Sequence, residues 1–233
     1  MTRIQPIVLS LGGSIFITGE NDAEFLQQLL LLIKKVSKSG PLAIVVGGGR
    51  TARQYITVGR ELGLVEVELD EIGIEVTRLH AKMLAHLLAP DAPLKPPESI
   101  PEAAGEIGRW PIVVMGGTEP GHTTDGVAAL LAERIRARLL VNATRVGGLY
   151  DKDPRKHDDA RLIPSMDFDK FVSWVSSQTQ GKAGQEFVFD RLGAESLARS
   201  RIPLAVLNGR NLKNLQAALE GKKFDGSLIS DAV

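Results

Sequence analysis

Three short apolar segments of this sequence run directly into glycine. They are Ile7–Leu11 before Gly12 and Gly13, Leu42–Val46 before Gly47, Gly48 and Gly49, and residues 111–115 before Gly116 and Gly117. Unbroken apolar runs of this length are typical of buried parallel strands. Glycine after such a strand lets backbone N–H groups approach an anion closely, and a following helix adds its positive N-terminal end. A single turn of this kind is consistent with a tight bend alone, but three of them predict a site for ligands that carry several phosphates.

The rest of the sequence alternates between helical and strand patterns. Helices are predicted at about residues 22–39, from residue 51, and at about residues 124–137, 167–176, 191–200 and 211–220, and further strands at residues 139–143 and 204–207. Alternation of this kind produces a mainly parallel sheet with helices on both faces. We therefore predict an α/β fold, a three-layer αβα sandwich, in a single domain that spans residues 1–233.

Local patterns add detail to this prediction. Asn21 and Glu24 have the spacing of a capping box at the start of the first long helix. Residues 90–101 contain five prolines and predict an irregular loop, and residues 176–185 predict a mobile loop rich in Ser, Gln and Gly. Apolar residues at intervals of three and four predict one apolar face of a long helix, made by Leu69, Ile72, Val76, Leu79, Met83 and Leu87.

The composition argues against several classes of function. Lys+Arg and Asp+Glu both number 28, and a net charge of zero argues against a general electrostatic attraction to nucleic acid. The absence of cysteine excludes disulfides and thiolate metal sites. We see no signal-peptide pattern and no apolar run of the roughly 20 residues that span a bilayer. We therefore expect a soluble cytoplasmic protein with no nucleic-acid or membrane partner.

The second glycine turn also fits a different ligand class. Residues 47–52 match the G-x-G-x-x-A fingerprint of nicotinamide-dinucleotide binding. That fingerprint requires a second strand that ends in an acidic residue about twenty positions later. Here the helical pattern of residues 69–87 begins at that point. The context therefore disfavours a nicotinamide-dependent enzyme, and the G-x-x-x-x-G-K-[ST] pattern of P-loop enzymes is absent.

The glycine turns lie within longer segments that resemble the archaeal-type UMP kinases of the amino-acid-kinase superfamily. In chain order, these segments fall within residues 8–14, 45–53, 70–78, 115–125, 144–154 and 187–200. The most specific of them is residues 118–125, which read Thr-Glu-Pro-Gly-His-Thr-Thr-Asp. The resemblance covers nearly the whole chain. It implies the amino-acid-kinase fold, ATP-dependent phosphorylation of UMP to UDP in pyrimidine biosynthesis with Mg²⁺, and a homohexamer.

The resemblance also implies roles for individual residues, with UMP bound by the N-terminal part and ATP by about residues 140–233. The implied ATP-binding residues are Gly13, Ser14, Gly49, Arg53, Thr144, Tyr150 and Asp153. The implied UMP-binding residues are Gly48, Asp70, Thr118, Glu119, Pro120, Gly121, His122, Thr123 and Thr124. Arg53 and Asp190 are predicted to be catalytic, Arg53 where the two nucleotides meet and Asp190 by orienting cationic groups or Mg²⁺. The metal ligands stay unassigned.

Three residues depart from the pattern of the superfamily. Ser10 stands where many of its kinases have a Lys that neutralises the transferring phosphoryl group, and Arg50 and Arg53 are candidates to replace that charge. His80 replaces a usual Asn, and Gly147 replaces a usual Asp. These departures leave two alternatives open. One is a superfamily kinase that acts on another small phosphate or carboxylate, and the other is a molybdenum-storage-like protein that binds nucleotide.

Overall fold

The computed structural model describes residues 4–19, 21–178 and 189–231. Its elements follow in the order β1 (Ile7–Leu11), α1 (Gly13–Phe16), α2 (Asp22–Ser37), β2 (Leu42–Val46), α3 (Gly49–Glu61), α4 (Glu66–Leu88), α5 (Ile100–Glu106), β3 (Ile112–Met115), α6 (Thr124–Ile135), β4 (Leu139–Thr144), β5 (Leu149–Tyr150), β6 (Leu162–Ile163), β7 (Ser165–Met166), α7 (Phe168–Gln178), α8 (Arg191–Ser200), β8 (Leu204–Asn208), α9 (Leu212–Leu219) and β9 (Ser227–Ile229). No helix within these ranges is both long and apolar enough to cross a membrane.

One sheet of seven strands organises the molecule, in the order β3-β2-β1-β4-β8-β9-β7. Neighbouring strands from β3 to β8 are parallel, whereas β9 runs antiparallel to β8 and parallel to β7. Strands β5 and β6 form a separate antiparallel hairpin. The mainly parallel sheet predicted from the sequence is therefore confirmed. Because β1, β2 and β3 are parallel, the three glycine turns leave the sheet at the same edge.

Helices cover both faces of the sheet and enclose two apolar cores. On β1, Ile7, Leu9 and Leu11 point into the core that α2, α4 and α9 cover. Val8 points into the other core, which residues of α5, α6, α7 and α8 complete. Successive side chains of a strand face opposite sides of the sheet, so Ser10 lies on the same side as Val8, towards α6. The predicted three-layer arrangement is confirmed.

The long helix α4 buries only part of the apolar face that the sequence predicted. Leu69 and Val76 are buried as expected, but Leu79, Met83 and Leu87 are 62%, 42% and 42% exposed. The C-terminal half of the helix instead buries Ala81, Leu84, Ala85 and Leu88. The predicted apolar face is therefore covered by the core only in its N-terminal half, because α4 packs on α3 as well as on β2 and β3 and no single stripe faces one partner along its whole length.

The predicted capping box at the start of α2 is also wrong. Asn21 has a left-handed backbone, with φ of 51°, and its side chain makes no cap hydrogen bond. Instead, the carboxylate of Asp22 accepts hydrogen bonds from the backbone N–H groups of Thr18 and Gly19, at 2.8 and 2.7 Å. These bonds fold the preceding turn back onto the helix.

The predicted loops are shorter than the sequence indicated. The proline-rich segment ends in α5, where the Ser99 hydroxyl accepts a hydrogen bond from the N–H of Glu102. The first residues of the predicted loop at 176–185 belong to α7, and the others lie outside the described residues. Strands β5, β6, β7 and β9 were not predicted, because two or three residues are too few to show an alternating pattern.

Candidate functional site

The first two glycine turns press directly against each other. A Cβ atom built on Gly13 would lie 2.3 Å from both the Gly47 carbonyl oxygen and the Gly49 nitrogen. Gly49 has a φ of +59°, which L-residues with side chains rarely adopt, and a Cβ there would lie 2.3 Å from the Gly13 carbonyl. The two turns therefore form one continuous surface of main chain.

The third turn joins this surface through Thr77 of α4. Its hydroxyl accepts a hydrogen bond from the Gly117 N–H at 2.6 Å and donates to the Ile74 carbonyl at 2.6 Å. Its methyl group lies 3.4 Å from the position of a Cβ on Gly48. Thr77 thus connects the second and third turns. All three turns meet at one place, as the sequence predicted.

Replacing Thr77 with valine tests this connection. Valine keeps the shape of threonine but leaves the buried N–H of Gly117 without its acceptor, which costs about 1–3 kcal/mol. We expect urea denaturation to show that loss in the free energy of unfolding. The matched control is Thr57→Val on the exposed side of α3, expected within about 0.5 kcal/mol of the wild type. Equal stability of Thr77→Val and Thr57→Val would contradict the proposed connection.

His80 holds the second turn from the other side. Its Nδ1 lies 2.9 Å from the carbonyl oxygen of Gly47, and its ring packs on Phe16 with centroids 5.3 Å apart. The ring is buried. His80 is one of the departures from the superfamily pattern, and in this chain its ring positions the second glycine turn.

Helix α3 begins at the meeting point of the turns. Its N-cap is Gly48, which has no side chain, so the N-cap residue provides no side-chain cap for the first N–H groups of the helix. Uncapped amides at a helix N-terminus suit an anion, because the helix dipole adds to their positive charge. Arg53 is partly buried one turn further on. Its pKa is lowered, first by burial and then by the positive charges of Arg145 and Arg155.

The segment of residues 118–124 contains two buried polar atoms without hydrogen bonds. Thr118 Oγ1 and His122 Nδ1 have no hydrogen-bond partner among the described residues, and His122 Nδ1 lies 3.3 Å from Glu119 Oε1. The segment is tied to α4 by Asp70, whose Oδ2 accepts a hydrogen bond from the Gly121 N–H at 2.8 Å. Buried polar atoms without hydrogen bonds cost free energy, so this segment is suited to receive a ligand's hydrogen bonds.

The carboxylates of Asp125 and Asp190 lie near the turns, where the N-termini of α6 and α8 meet. Asp190 caps α8 by accepting from the Gly193 N–H at 2.8 Å, and it also accepts the hydroxyl hydrogen of Thr123. Asp125 accepts from the Ser10 hydroxyl at 2.6 Å. Burial raises the pKa of Asp125 to about 7, with a further contribution from the negative charge of Asp190.

Sequence reasoning placed Asp190 in the site but missed the role of Asp125. A second hydrogen bond to this carboxylate comes from Asn142 and partly offsets the rise in its pKa. Ser10 and Asn142 are register partners on β1 and β4, so their side chains lie side by side. Only the strand pairing, which the sequence does not show, brings these residues together.

Three further predicted residues, Thr144, Tyr150 and Asp153, lie at the end of β4, on β5 and in the loop after β5. Gly12 N–H donates to the carbonyl of Ala143 at 3.0 Å, which places Thr144 beside the first glycine turn. Tyr150 lies on β5, and its hydroxyl is 3.0 Å from the position of a Cβ on Gly147. Asp153 forms a two-point ion pair with Arg155, at 3.0 and 3.1 Å. This ion pair lowers the pKa of Asp153.

Comparison with known proteins gives the family. A family model described as the amino acid kinase family matches residues 5–208. The chain belongs to the amino acid kinase family. The amino acid kinase fold also explains the second turn, because α3 leads into α4 and not into the strand that a nicotinamide fingerprint requires.

Several relatives of this chain carry the name uridylate kinase. The one from Methanobrevibacter smithii is 41% identical over 96% of this chain and 99% of its own length. The one from Methanocaldococcus jannaschii is 45% identical over 87% of this chain and 90% of its own length. A crystal structure of uridylate kinase from Archaeoglobus fulgidus is 38% identical, with a TM-score of 0.85 over 97% of this chain and 100% of that one.

Proposed function

We propose that this protein transfers the γ-phosphoryl group of ATP to the phosphate of UMP, giving ADP and UDP. The observation that carries the proposal is the meeting of three glycine turns around the uncapped N-terminus of α3. The similarity to uridylate kinases over nearly the full length of both chains supports UMP as the acceptor. Such a reaction belongs to pyrimidine nucleotide synthesis and is expected in the cytoplasm.

The proposed reaction needs positioning and charge more than a side-chain nucleophile. A phosphate oxygen of UMP attacks the γ-phosphorus of ATP, the bond to the β–γ bridging oxygen breaks, and ADP leaves with the electron pair. Backbone N–H groups of Gly13, Ser14 and Gly49 bind the donor phosphates. Arg53 stabilises the negative charge that the transition state carries between donor and acceptor. Electrostatic stabilisation of this kind is usually the largest single contribution to catalysis.

The UMP half of the site consists of α3, α4 and residues 118–124. Gly48 binds the phosphate of UMP. Asp70 has one carboxylate oxygen bound to Gly121, which leaves the other for the ribose hydroxyls. The buried Oγ1 of Thr118 and Nδ1 of His122 hydrogen-bond to the uracil or the phosphate. Glu119, Pro120, Thr123 and Thr124 complete the lining of this half.

The ATP half comprises about residues 140–233, with Thr144, Tyr150 and Asp153 at the nucleotide. Asp190 orients its neighbours, because its carboxylate accepts hydrogen bonds from the hydroxyl of Thr123 and from the first turn of α8. The described part of the chain contains no cluster of three metal-binding side chains. Mg²⁺ often binds through substrate phosphates, waters and only one or two carboxylates, so Mg²⁺ arrives with ATP.

We also propose that the chain forms a homo-oligomer, with a hexamer as the form that the resemblance implies. The exposed stripe of α4, formed by Leu79, Met83 and Leu87, supports it. Three large apolar side chains in line on one helix are costly to leave in water. From the sequence alone, this apolar face suits either an interface between copies or the intramolecular core, and its exposed stripe is available to a second copy.

The acceptor is tested by measuring ADP release with a panel of acceptors. The panel comprises UMP, CMP, AMP, carbamate, acetylglutamate and isopentenyl phosphate, each with ATP and Mg²⁺. We expect kcat/KM for UMP to exceed that of every other acceptor by at least about 10-fold, since mismatched hydrogen bonds in a base site cost that much or more. A parallel preparation of the Gly13→Ala variant reports background from contaminating kinases. A clear preference for another acceptor would overturn UMP and leave the family assignment intact.

A further inference from the structure

Helix α1, which contains Gly13 and Ser14, is too short to fix its own position. It has only four residues, and an isolated helix shorter than about 12 residues is at best marginally stable in water. On one side, Gly13 lies against Gly47 and Gly49 of the second glycine turn. On another side, α1 contacts the loop that follows β8. The position of the proposed donor-phosphate residues therefore depends on that loop as well as on the second turn.

Gly209 brings the loop after β8 into contact with α1 and with the end of β4. A Cβ atom built on Gly209 would lie 2.2 Å from Ile15 Cδ1 and 2.8 Å from the Cβ of Ala143. The N–H of Gly209 donates to the carbonyl oxygen of Thr144 at 2.9 Å. Because β4 lies between β1 and β8 in the sheet, this loop reaches across the end of β4 to the segment that follows β1.

Arg210, the next residue, bonds this loop to the segment between α1 and α2. Its Nη2 donates to Thr18 Oγ1 at 2.7 Å and to Asp22 Oδ1 at 3.2 Å. Its guanidinium carbon lies 4.3 Å from the centroid of the Phe25 ring. The backbone N–H of Arg210 donates to the side-chain oxygen of Asn208, at the end of β8, at 3.0 Å. Both the main chain and the guanidinium group of Arg210 are therefore held in place.

Asp22 connects Arg210 to the main chain next to α1. Its Oδ2 accepts hydrogen bonds from the backbone N–H groups of Thr18 and Gly19, and its Oδ1 also accepts from Thr18 Oγ1 at 2.7 Å. The side chains of Asp22 and Arg210 are only 17% and 32% exposed. Hydrogen bonds between charged groups are stronger than neutral ones, and shielding from water reduces their screening. We call the bonds that join Arg210 to Thr18 and Asp22 the Arg210 brace.

We infer that Arg210 is a positioning residue for the donor nucleotide. The Arg210 brace holds α1 beside the end of β4. It thereby sets the distance from Gly13 and Ser14, at the donor phosphates, to Thr144, at the nucleotide. Phosphoryl transfer depends on such distances, because a displacement of about 1 Å can cost about 100-fold in rate. The inference rests on the proposed function, since it requires α1 and the end of β4 to bind the same ATP molecule.

Binding of ADP with Mg²⁺ tests the Arg210 brace without any acceptor. Isothermal titration calorimetry compares the wild type with Arg210→Gln, which removes the charged group. We expect this variant to bind ADP at least about fivefold more weakly, because α1 loses a charge-assisted connection to the loop after β8. Arg210→Lys keeps the charge and is expected to retain more of the affinity. Asp22→Asn weakens the same connection from the other side, and it gives the same comparison if Arg210→Gln does not fold.

The matched control is Arg201→Gln, at the opposite end of β8. Arg201 precedes this strand, forms an ion pair with Asp231 at 2.8 Å, and its guanidinium carbon lies 5.5 Å from the centroid of the Phe168 ring. The control therefore loses the same kinds of contact at the edge of the sheet away from α1. We expect both glutamine variants to lose similar amounts of stability in urea. ADP binding by Arg201→Gln is expected to stay within about twofold of the wild type.

Kinetics with ATP and UMP separate positioning from stability. For Arg210→Gln we expect KM for ATP to rise at least about fivefold, with KM for UMP changed by less than about threefold. If Arg210→Gln is destabilised like Arg201→Gln but binds ADP as tightly as the wild type does, the inference is overturned. If another acceptor replaces UMP and ADP binding still depends on Arg210, the inference stands and only UMP is rejected. A wild type that does not bind ADP would reject both.

Discussion

Replacing Gly13 with alanine is expected to destabilise the protein by about 3 kcal/mol and to abolish measurable phosphoryl transfer. The new Cβ would lie 2.3 Å from the carbonyl oxygen of Gly47 and from the nitrogen of Gly49. Both contacts are main chain, so no side chain can move aside. Overpacking usually costs about 1–3 kcal/mol, and a clash between two backbone segments belongs at the upper end. The turns that separate to accommodate the methyl group are those proposed to bind phosphate.

Urea denaturation followed by circular dichroism measures the first effect, and ADP release measures the second. The matched control is Gly105→Ala, a helical glycine of α5 with no atom within 4 Å of its Cβ position. There we expect unchanged activity and a gain of up to about 1 kcal/mol from helix propensity. A Gly13→Ala protein with the stability and turnover of the wild type would show that the first two turns are not in contact in solution.

The fold could be predicted from the sequence because its signals are local. Apolar runs that end in glycine mark the strands β1, β2 and β3, and the helical periods between them require parallel connections. The exposed face of α4 could not be predicted, because Leu79 and Met83 have the same spacing as core residues. The pattern shows which residues share a face, but it does not show which partner covers that face.

Part of the candidate site could be predicted from the sequence, and part could not. The glycine turns were predicted because each is a local sequence feature. The environment of Asp125 was not, because Ser10 is 115 positions away and Asn142 reaches Asp125 only through the register of β1 with β4.

The stability of the protein is expected to depend on the protonation of Asp125. Burial and the charge of Asp190 raise its pKa to about 7, from an ordinary value of 3.8, against the opposing hydrogen bonds of Ser10 and Asn142. The folded state therefore holds this proton more tightly than the unfolded state. The contribution of the Asp125 proton to the free energy of unfolding is fully present below about pH 4, declines as the pH rises towards 7, and is lost above pH 7.

Replacing Asp125 with asparagine is expected to remove this dependence. At about 1.36 kcal/mol per pK unit, the wild type should lose about 3 kcal/mol between pH 5 and pH 8 through this residue alone. The variant keeps an oxygen for the Ser10 hydroxyl but has no charge to bury. Its free energy of unfolding should therefore rise relative to the wild type by about that amount over the same interval.

Urea titrations at pH 5, 6, 7 and 8 give this difference directly, since all other titrating groups are common to both proteins. The exposed Asp158, replaced by asparagine, serves as the control, and its difference from the wild type should stay constant with pH. Parallel pH profiles for Asp125→Asn and the wild type would show that Asp125 is ionised in the folded protein at pH 5. In that case the carboxylate would be stabilised by Ser10 and Asn142 more than burial opposes it, and its pKa would lie below that range.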